Sequence, residues 1–381
     1  DWSRWSDQGR ARSGEVHEPA TAAQRSTEGM VDYDRHSSAQ QTIIQTHDEQ
    51  IRGLVERLGP VDGEFRVVDY GCGPGTSAIT AVKPAIEASQ RLYPERGVVV
   101  CHADQPGNDW NALFGLVWGP SGYRSGTQTV RTEAAVGSFY DQMVADASVD
   151  LATCFAASHW LQHPHRLYAP GSVWFADLTG AARRAMAERA QRDWTRFLRQ
   201  RAAELRRGGF LFVSTLGSVP DASEVNATAA SGRGIYRAVQ AVAQGMVDDG
   251  LLDGAALDEF VFSLWFPTAE QARRPLVDDE HLARGFAIES ISVQPTPRNP
   301  HDFFAPLVTD PVAYAEAYTG YIRAFADSTL RTQLFAPSAD DPAAQDELAT
   351  AFYERLNTLY RAHLDRYAFE LWHLTVVLRR R

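Results

Sequence analysis

The run Val67-Val68-Asp69-Tyr70-Gly71-Cys72-Gly73-Pro74-Gly75-Thr76 constrains this chain more than any other. An apolar β-type stretch ends in an acid and breaks into a glycine-rich turn before a helical segment. Glycines at 71, 73 and 75 let the backbone approach a ligand closely and adopt angles that side chains forbid, with a helix starting beneath them. No Gly-Lys-Ser/Thr follows to hold a triphosphate, which excludes a phosphate loop. The glycines fall as G-x-G-x-G, which also differs from the dinucleotide G-x-G-x-x-G. Taken alone, the stretch is either a nucleotide-type cofactor loop or an ordinary tight turn.

Downstream, Gly97-Val98-Val99-Val100-Cys101-His102-Ala103-Asp104 reads as a second strand ending in an acid. At the carboxyl end of a neighbouring strand in a doubly wound sheet, a carboxylate accepts hydrogen bonds from both hydroxyls of a ribose. One helix fits between the two, and Thr76 to Gln90 supplies it, with Ile79, Val82 and Ile86 at helical spacing. Asp104 by itself could be a strand-end turn residue. Joined to the Asp69 loop, it favours a cofactor that carries a nucleoside. A strand ending in Asp-x-Gly-x-Gly resembles the S-adenosylmethionine (SAM) pocket of Rossmann-like methyltransferases, where the loop packs on the methionine part.

The rest of the chain fits that frame. Residues 1–29 are polar, poor in large aliphatics and read as a flexible segment. Apolar residues recur at helical spacing from Gln40 to Leu58 and predict one helix before the first strand. Strand and helix then alternate through Arg66–Tyr70, Thr76–Gln90, Val98–Ala103, Trp110–Phe114, Val149–Phe155 and Ser172–Ala176, which implies a parallel sheet. A charged helix from Gly180 to Arg207 is predicted to stop at Gly208-Gly209, and Phe210–Leu216 follows as a buried strand. From Gly234 to Ala368 the pattern is mostly helical, interrupted by a Pro-rich passage from Gln294 to Pro311; only Glu370–Leu378 returns to a β-type run. The expected organisation is an α/β fold, a Rossmann-like doubly wound class I methyltransferase sheet with an inserted α-helical cap. Its parts are a SAM-binding domain over 30–233, a cap and substrate region over 234–368, and a terminal strand over 369–381.

Charge and composition exclude several partners. A net charge of −11 without any Lys/Arg block leaves no basic groove for nucleic acid. No apolar run approaches the ~20 residues of a membrane span and no signal-like core opens the sequence, so neither a membrane partner nor export is expected and the location reads as cytoplasmic. Cys72, Cys101 and Cys154 lie in or beside apolar runs without metal-type spacing and read as reduced core residues. Lys83 is the only lysine, a codon-usage trait of a GC-rich bacterial genome.

Further motifs, in order and compatibly spaced, narrow the reading. Tyr33-Asp34-Arg35-His36-Ser37-Ser38-Ala39-Gln40 resembles a Tyr-x-x-Asn-Ser-x-x-Gln opening. His102-Ala103-Asp104-Gln105-Pro106-Gly107-Asn108-Asp109-Trp110-Asn111 resembles Asn-Asp-Leu-Pro-Gly-Asn-Asp-Phe-Asn. Val136-Gly137-Ser138-Phe139-Tyr140 is similar to Pro-Gly-Ser-Phe-Tyr, and Ser158-His159-Trp160-Leu161 to Leu-His-Trp-Leu. Gly245–Leu252 and Leu257–Phe260 are similar to Met-Val-x-Glu-Gly-Leu-Ile and Met-Asp-x-Phe segments. These motifs identify the region from Met30 onward as similar to the SABATH family, the plant salicylate, benzoate, jasmonate and theobromine methyltransferases, and the chain as a divergent bacterial member.

The resemblance implies SAM as cofactor. Tyr33, Ser37 and Gln40 would close one side of it, Asp69 and Gly71 would meet its methionine end, Asp104 the ribose, and Gln105, Ser138 and Phe139 the adenine. By itself, Gly-Ser-Phe-Tyr is a turn packed on a core. In carboxyl-methylating members a Gln and a Trp hold the substrate carboxylate, which carries over to Gln40 and Trp160. Both are neutral donors that orient a carboxylate without neutralising it. No residue is expected to act as a catalytic acid or base; His159 reads first as a packing or hydrogen-bonding residue and second as part of the pocket lining. Tyr236 falls at a pocket aromatic position in the cap. Ala156 stands where the family usually has a Tyr, which widens the acid site.

The counterparts of a magnesium site found in some plant members are Asp177, Asp258, Phe260 and Val261. The last lacks a side-chain oxygen, so no metal is expected. The implied partner is a small, aromatic or natural-product carboxylic acid, and the implied assembly a homodimer. Two alternatives remain at this stage: N-methylation of a heterocycle, against which His159-Trp160 speaks, and a non-catalytic SAM-fold binding protein.

Overall fold

A computed structural model describes residues 38–60, 62–124, 129–220, 228–230, 232–295 and 304–381. The segment 1–29 and the candidate cofactor residues Tyr33 and Ser37 lie outside the described residues. The chain opens with α1 (Ser38–Gln45) and α2 (Asp48–Leu58), then alternates β1 (Phe65–Tyr70), α3 (Thr76–Leu92), β2 (Val98–Asp104), α4 (Trp110–Trp118), β3 (Val130–Val136) and β4 (Val149–Phe155). A long loop and α5 (Gly180–Glu204) lead to β5 (Leu205–Leu216) and the small ribbon β6 (Ser218–Pro220) and β7 (Thr228–Ala230). Next come α6 (Arg233–Asp248), α7 (Gly254–Asp258), α8 (Ala269–Asp278), α9 (Glu280–Gly285), β8 (Phe286–Pro295), α10 (Pro311–Leu330), α11 (Pro342–Ala362) and β9 (Trp372–Arg380).

The main sheet has seven strands in the order β3-β2-β1-β4-β5-β9-β8. Pairing is parallel from β3 to β5, and β9 runs antiparallel between β5 and β8. The strand order reverses at β1 and β4, whose carboxyl ends form the crevice where doubly wound sheets bind ligands. Alternation along the strands feeds two cores. Val67 and Leu151 face Ile51, Leu54, Val82 and Ile86 of α2 and α3. Val68 and Cys154 face Trp194, Phe197 and Leu198 of α5. A third core builds the cap, joining Trp160 and Trp174 to Tyr236 of α6, Phe262, and Phe325 of α10. The helices α10 and α11 start on Asp310-Pro311 and Asp341-Pro342, where an aspartate accepts from the first-turn N–H groups and the proline fills a position that needs no donor.

Several expectations change. The helix from Gln40 to Leu58 is two helices, broken at Thr46-His47, where His47 Nε2 meets Ser214 Oγ at 3.1 Å. The helix from Gly180 ends at Glu204, and Gly208-Gly209 lies inside β5. A Cβ on Gly209 would sit 2.9 Å from the Asp150 carbonyl and 3.1 Å from that of Val149, so glycine there admits close strand approach rather than stopping a helix. Ser172–Ala176 forms no strand; one 3₁₀ turn, Phe175–Asp177, stands there. β3 and β8 were unforeseen, and β8 returns residues 286–295 to the sheet from within the stretch expected to be a helical cap.

Candidate active site

The glycine loop joins β1 to α3 at the switch point. Gly71 has φ +73° and Gly73 φ +66°, and a Cβ on Gly71 would lie 2.3 Å from Ala157 Cβ. Only glycine satisfies both demands at position 71. The loop is tied to the end of β2: Gly71 N–H donates to the Ala103 carbonyl at 2.7 Å, and Asn108 Nδ2 to the Gly73 carbonyl at 3.2 Å. Asp104 accepts from Gly73 N–H through one oxygen and from its neighbour Gln105 N–H through the other, both at 2.7 Å. The Cys72 thiol is a third donor to it; a carboxylate has about four acceptor positions, so capacity remains for a ribose hydroxyl. Burial raises the Asp104 pKa despite the two N–H groups and the Cys72 thiol.

Asp69 is buried, opposite Thr153 in the β1–β4 register, and accepts from Thr153 Oγ1 at 2.8 Å. Burial pushes its pKa up to about 7. With Gly71, Gly73, Pro74 and Ser77 it lines a small cavity under the loop. Phe139 packs under the same loop, its ring 3.4 Å from where a Gly71 Cβ would stand, against Tyr140 and Phe197. Ser138 Oγ accepts from Tyr140 N–H at 3.3 Å, closing its own turn. Gln105 makes its contact to Asp104 through its backbone. Backbone that can approach a ligand, a carboxylate with spare acceptor positions and an apolar ring beside them fit the amino-acid, ribose and base parts of SAM.

A second pocket adjoins this cavity and shares Ile44, Phe155 and Ala156 as a common wall. Gln40 lies one turn before Ile43 and Ile44 on α1. Trp160 and His159 sit on the loop after β4; opposite them stand Tyr236 from α6 and Tyr321 and Phe325 from α10. Trp160 is 4% exposed, and its Nε1–H has no partner among the described residues. Its ring tilts against His159 and Phe325, and its carbonyl accepts from the Tyr140 hydroxyl. Tyr236 stacks on Trp174 at 5.5 Å with the rings 10° apart. Ala156 has φ +50°, a left-handed conformation unusual for a residue with a Cβ, held by its N–H donating to the Ser214 carbonyl at 2.8 Å.

His159 lines the pocket and also serves structure, its Nδ1 lying 2.9 Å from Thr215 Oγ1. Burial lowers its pKa to about 3, so the ring is neutral at pH 7. His373, on β9, lines the same pocket; burial lowers its pKa to about 3 as well, and its Nε2 has no partner among the described residues. Sequence reasoning missed His373, Tyr321 and Phe325. A histidine inside the apolar run from Leu371 to Leu378 was the available signal for the first. Asp177 is engaged by Arg237 at 3.0 Å, and Asp258 offers its carbonyl to Ala169 N–H. Among the described residues no group of three or more His, Cys, Asp or Glu side chains is placed to hold a metal. Nor is any described helix long and apolar enough to cross a membrane.

The strand order, with a glycine loop and an acid at its switch point, defines a class I methyltransferase fold. A solved structure described as loganic acid methyltransferase with SAH shares it at TM-score 0.73, with 21% sequence identity and coverage of 93% of this chain and 98% of that one. The chain belongs to the SAM dependent carboxyl methyltransferase family, whose model matches residues 21–381. Relatives include indole-3-acetate O-methyltransferase 1 of Oryza sativa subsp. japonica, 26% identical over 59% of this chain and 62% of that protein. Gibberellic acid methyltransferase 2 of Arabidopsis thaliana is 24% identical over 68% of this chain and 70% of that protein.

Proposed function

We propose that the chain transfers a methyl group from SAM to the carboxylate of a small acid with a ring-containing body, yielding a methyl ester and S-adenosylhomocysteine. The observation that carries this is the buried Trp160 Nε1–H, without a partner among the described residues, in an aromatic pocket that shares a wall with the glycine-loop cavity. A buried donor left unpaired costs about 1–3 kcal/mol until an acceptor reaches it. In a carboxyl methyltransferase family the fitting acceptor is the substrate carboxylate.

Asp69, Gly71, Asp104, Gln105, Ser138 and Phe139 would hold SAM, with Tyr33, Ser37 and Gln40 closing over it. When bound, SAM supplies an electrophilic methyl group on a sulfonium. The acid is ionised at neutral pH, so no residue has to remove a proton. Trp160 and Gln40 fix the carboxylate oxygens without a positive charge that would blunt them as nucleophiles. Tyr236, Phe325 and Tyr321 pack the ring, and the space left by Ala156 admits a larger body than a Tyr would. The cap keeps water out, and orientation in a dry site is worth several kcal/mol of barrier.

The same proposal takes the substrate as a natural-product acid of a bacterial cell and the working form as a cytoplasmic homodimer; the resemblance and the single lysine support it, and light scattering checks the dimer. The activity is tested with methyl-labelled SAM and a panel of aromatic and cyclic acids. Labelled product released by mild alkali is expected. A label that survives alkali would indicate N-methylation and overturn the carboxylate reading.

A further inference from the structure

The pocket holds a second buried polar atom that the carboxylate does not use. His373 stands opposite Leu216 of β5 and Gln294 of β8, on the one antiparallel strand of the sheet. It is 9% exposed, and its Nε2 has no partner among the described residues. Two other polar side chains of this wall are already engaged, Ser214 by His47 and His159 by Thr215. Phe266, Leu371 and Leu216 make the surroundings apolar. A buried polar atom left without a partner among the described residues calls for an explanation, and for a residue that lines a ligand pocket the ligand can supply it.

The imidazole is neutral, because burial and the neighbouring His47 hold its pKa down near 3. It therefore offers hydrogen bonding without charge. A second carboxylate on the substrate would be desolvated there with no cation among the described lining residues to compensate it. A hydroxyl or carbonyl oxygen pairs with it at no such penalty.

We propose that His373 determines specificity: its Nε2 hydrogen-bonds a neutral oxygen, hydroxyl or keto, on the body of the acid whose carboxylate meets Trp160. The preferred substrates are thus oxygenated monocarboxylic acids, rather than plain hydrocarbon acids or dicarboxylates. This rests on the carboxylate reading above.

The test compares kcat/KM for pairs of ring acids that differ by one hydroxyl or keto oxygen at successive positions, in the unaltered protein, His373→Leu and His373→Gln. At one position or more the oxygenated acid is expected to be preferred about tenfold or better. His373→Leu should bring that ratio toward one, and His373→Gln, which keeps a donor and an acceptor, should restore much of it. S-adenosylhomocysteine binding by calorimetry and the melting temperature establish that each variant is folded. A ratio that is the same in the unaltered protein and His373→Leu, or no preference at any position, would overturn the role of His373 while leaving the carboxylate reading standing. Transfer to no acid at all would overturn both.

Discussion

Replacing Trp160 by Phe separates the donor from the ring that carries it. Phenylalanine keeps much of the packing against His159 and Phe325, whose ring centroids lie 5.6 and 6.4 Å away, but loses part of the bicyclic ring together with the Nε1–H, which has no partner among the described residues. A hydrogen bond to a charged acceptor is worth about 1.5–3 kcal/mol, so kcat/KM should fall by roughly 10- to 150-fold. In the ligand-free protein two opposing effects nearly cancel. The indole N–H is buried without a partner among the described residues, so removing it offsets part of the small cavity left behind and the melting temperature should change little. Steady-state kinetics with a saturating cofactor, together with thermal melting, reads both effects. A loss of less than about threefold, or a loss of activity matched by a fall in stability, would refute the reasoning.

Gly71→Ala should abolish S-adenosylhomocysteine binding in calorimetry and lower stability by more than Gly73→Ala. Both positions are left-handed, but only at 71 would the new Cβ collide with Ala157; equal losses would count against the packing argument. Ala156→Gly should be neutral or stabilising by up to about 1 kcal/mol in thermal melting, since it relieves a φ of +50° at the cost of glycine's chain entropy; clear destabilisation would contradict it. Stability should also fall on acidification from pH 7 to 5. Burial lowers the pKa of His159 and His373 to about 3 and of His102 to about 4. The unfolded chain thus takes up these protons first, and each site costs about 2 kcal/mol by pH 5. Asp69, raised to about 7, takes up its proton in the folded chain and offsets about 2 kcal/mol. Among these four groups the three histidines outweigh the one acid, so the melting temperature should fall by roughly a few degrees for a chain this long, and a rise would refute it.

The cofactor half of the site was legible because its signal is local. A strand, three glycines and a helix lie within a few residues, and Asp104 ends the next apolar run, so chain order and spacing carried the geometry. The edges of the sheet were not legible. β3 and β8 are the edge strands and mostly only partly buried, and Glu133, Glu289, Ser290 and Ser292 interrupt their apolar residues. Only the buried central strands read as continuous apolar runs. Gly208-Gly209 looks like a helix stop because close strand approach to Val149 and Asp150 leaves no trace in the local sequence. The acid pocket was half legible. Trp160 and Tyr236 came from motif resemblance, whereas His373, Tyr321 and Phe325 reach the site from elements more than 150 residues beyond Trp160, through pairing and cap packing that only the fold reveals.

The most direct measurement is the indole N–H resonance of Trp160 in a nitrogen-15-labelled sample, assigned by its loss in Trp160→Phe. With S-adenosylhomocysteine bound, titration with an acid that the protein methylates should move this proton downfield as the carboxylate accepts from it, in step with saturation of binding. An indole signal that stays in place while that acid binds would contradict the claim that Trp160 holds the carboxylate.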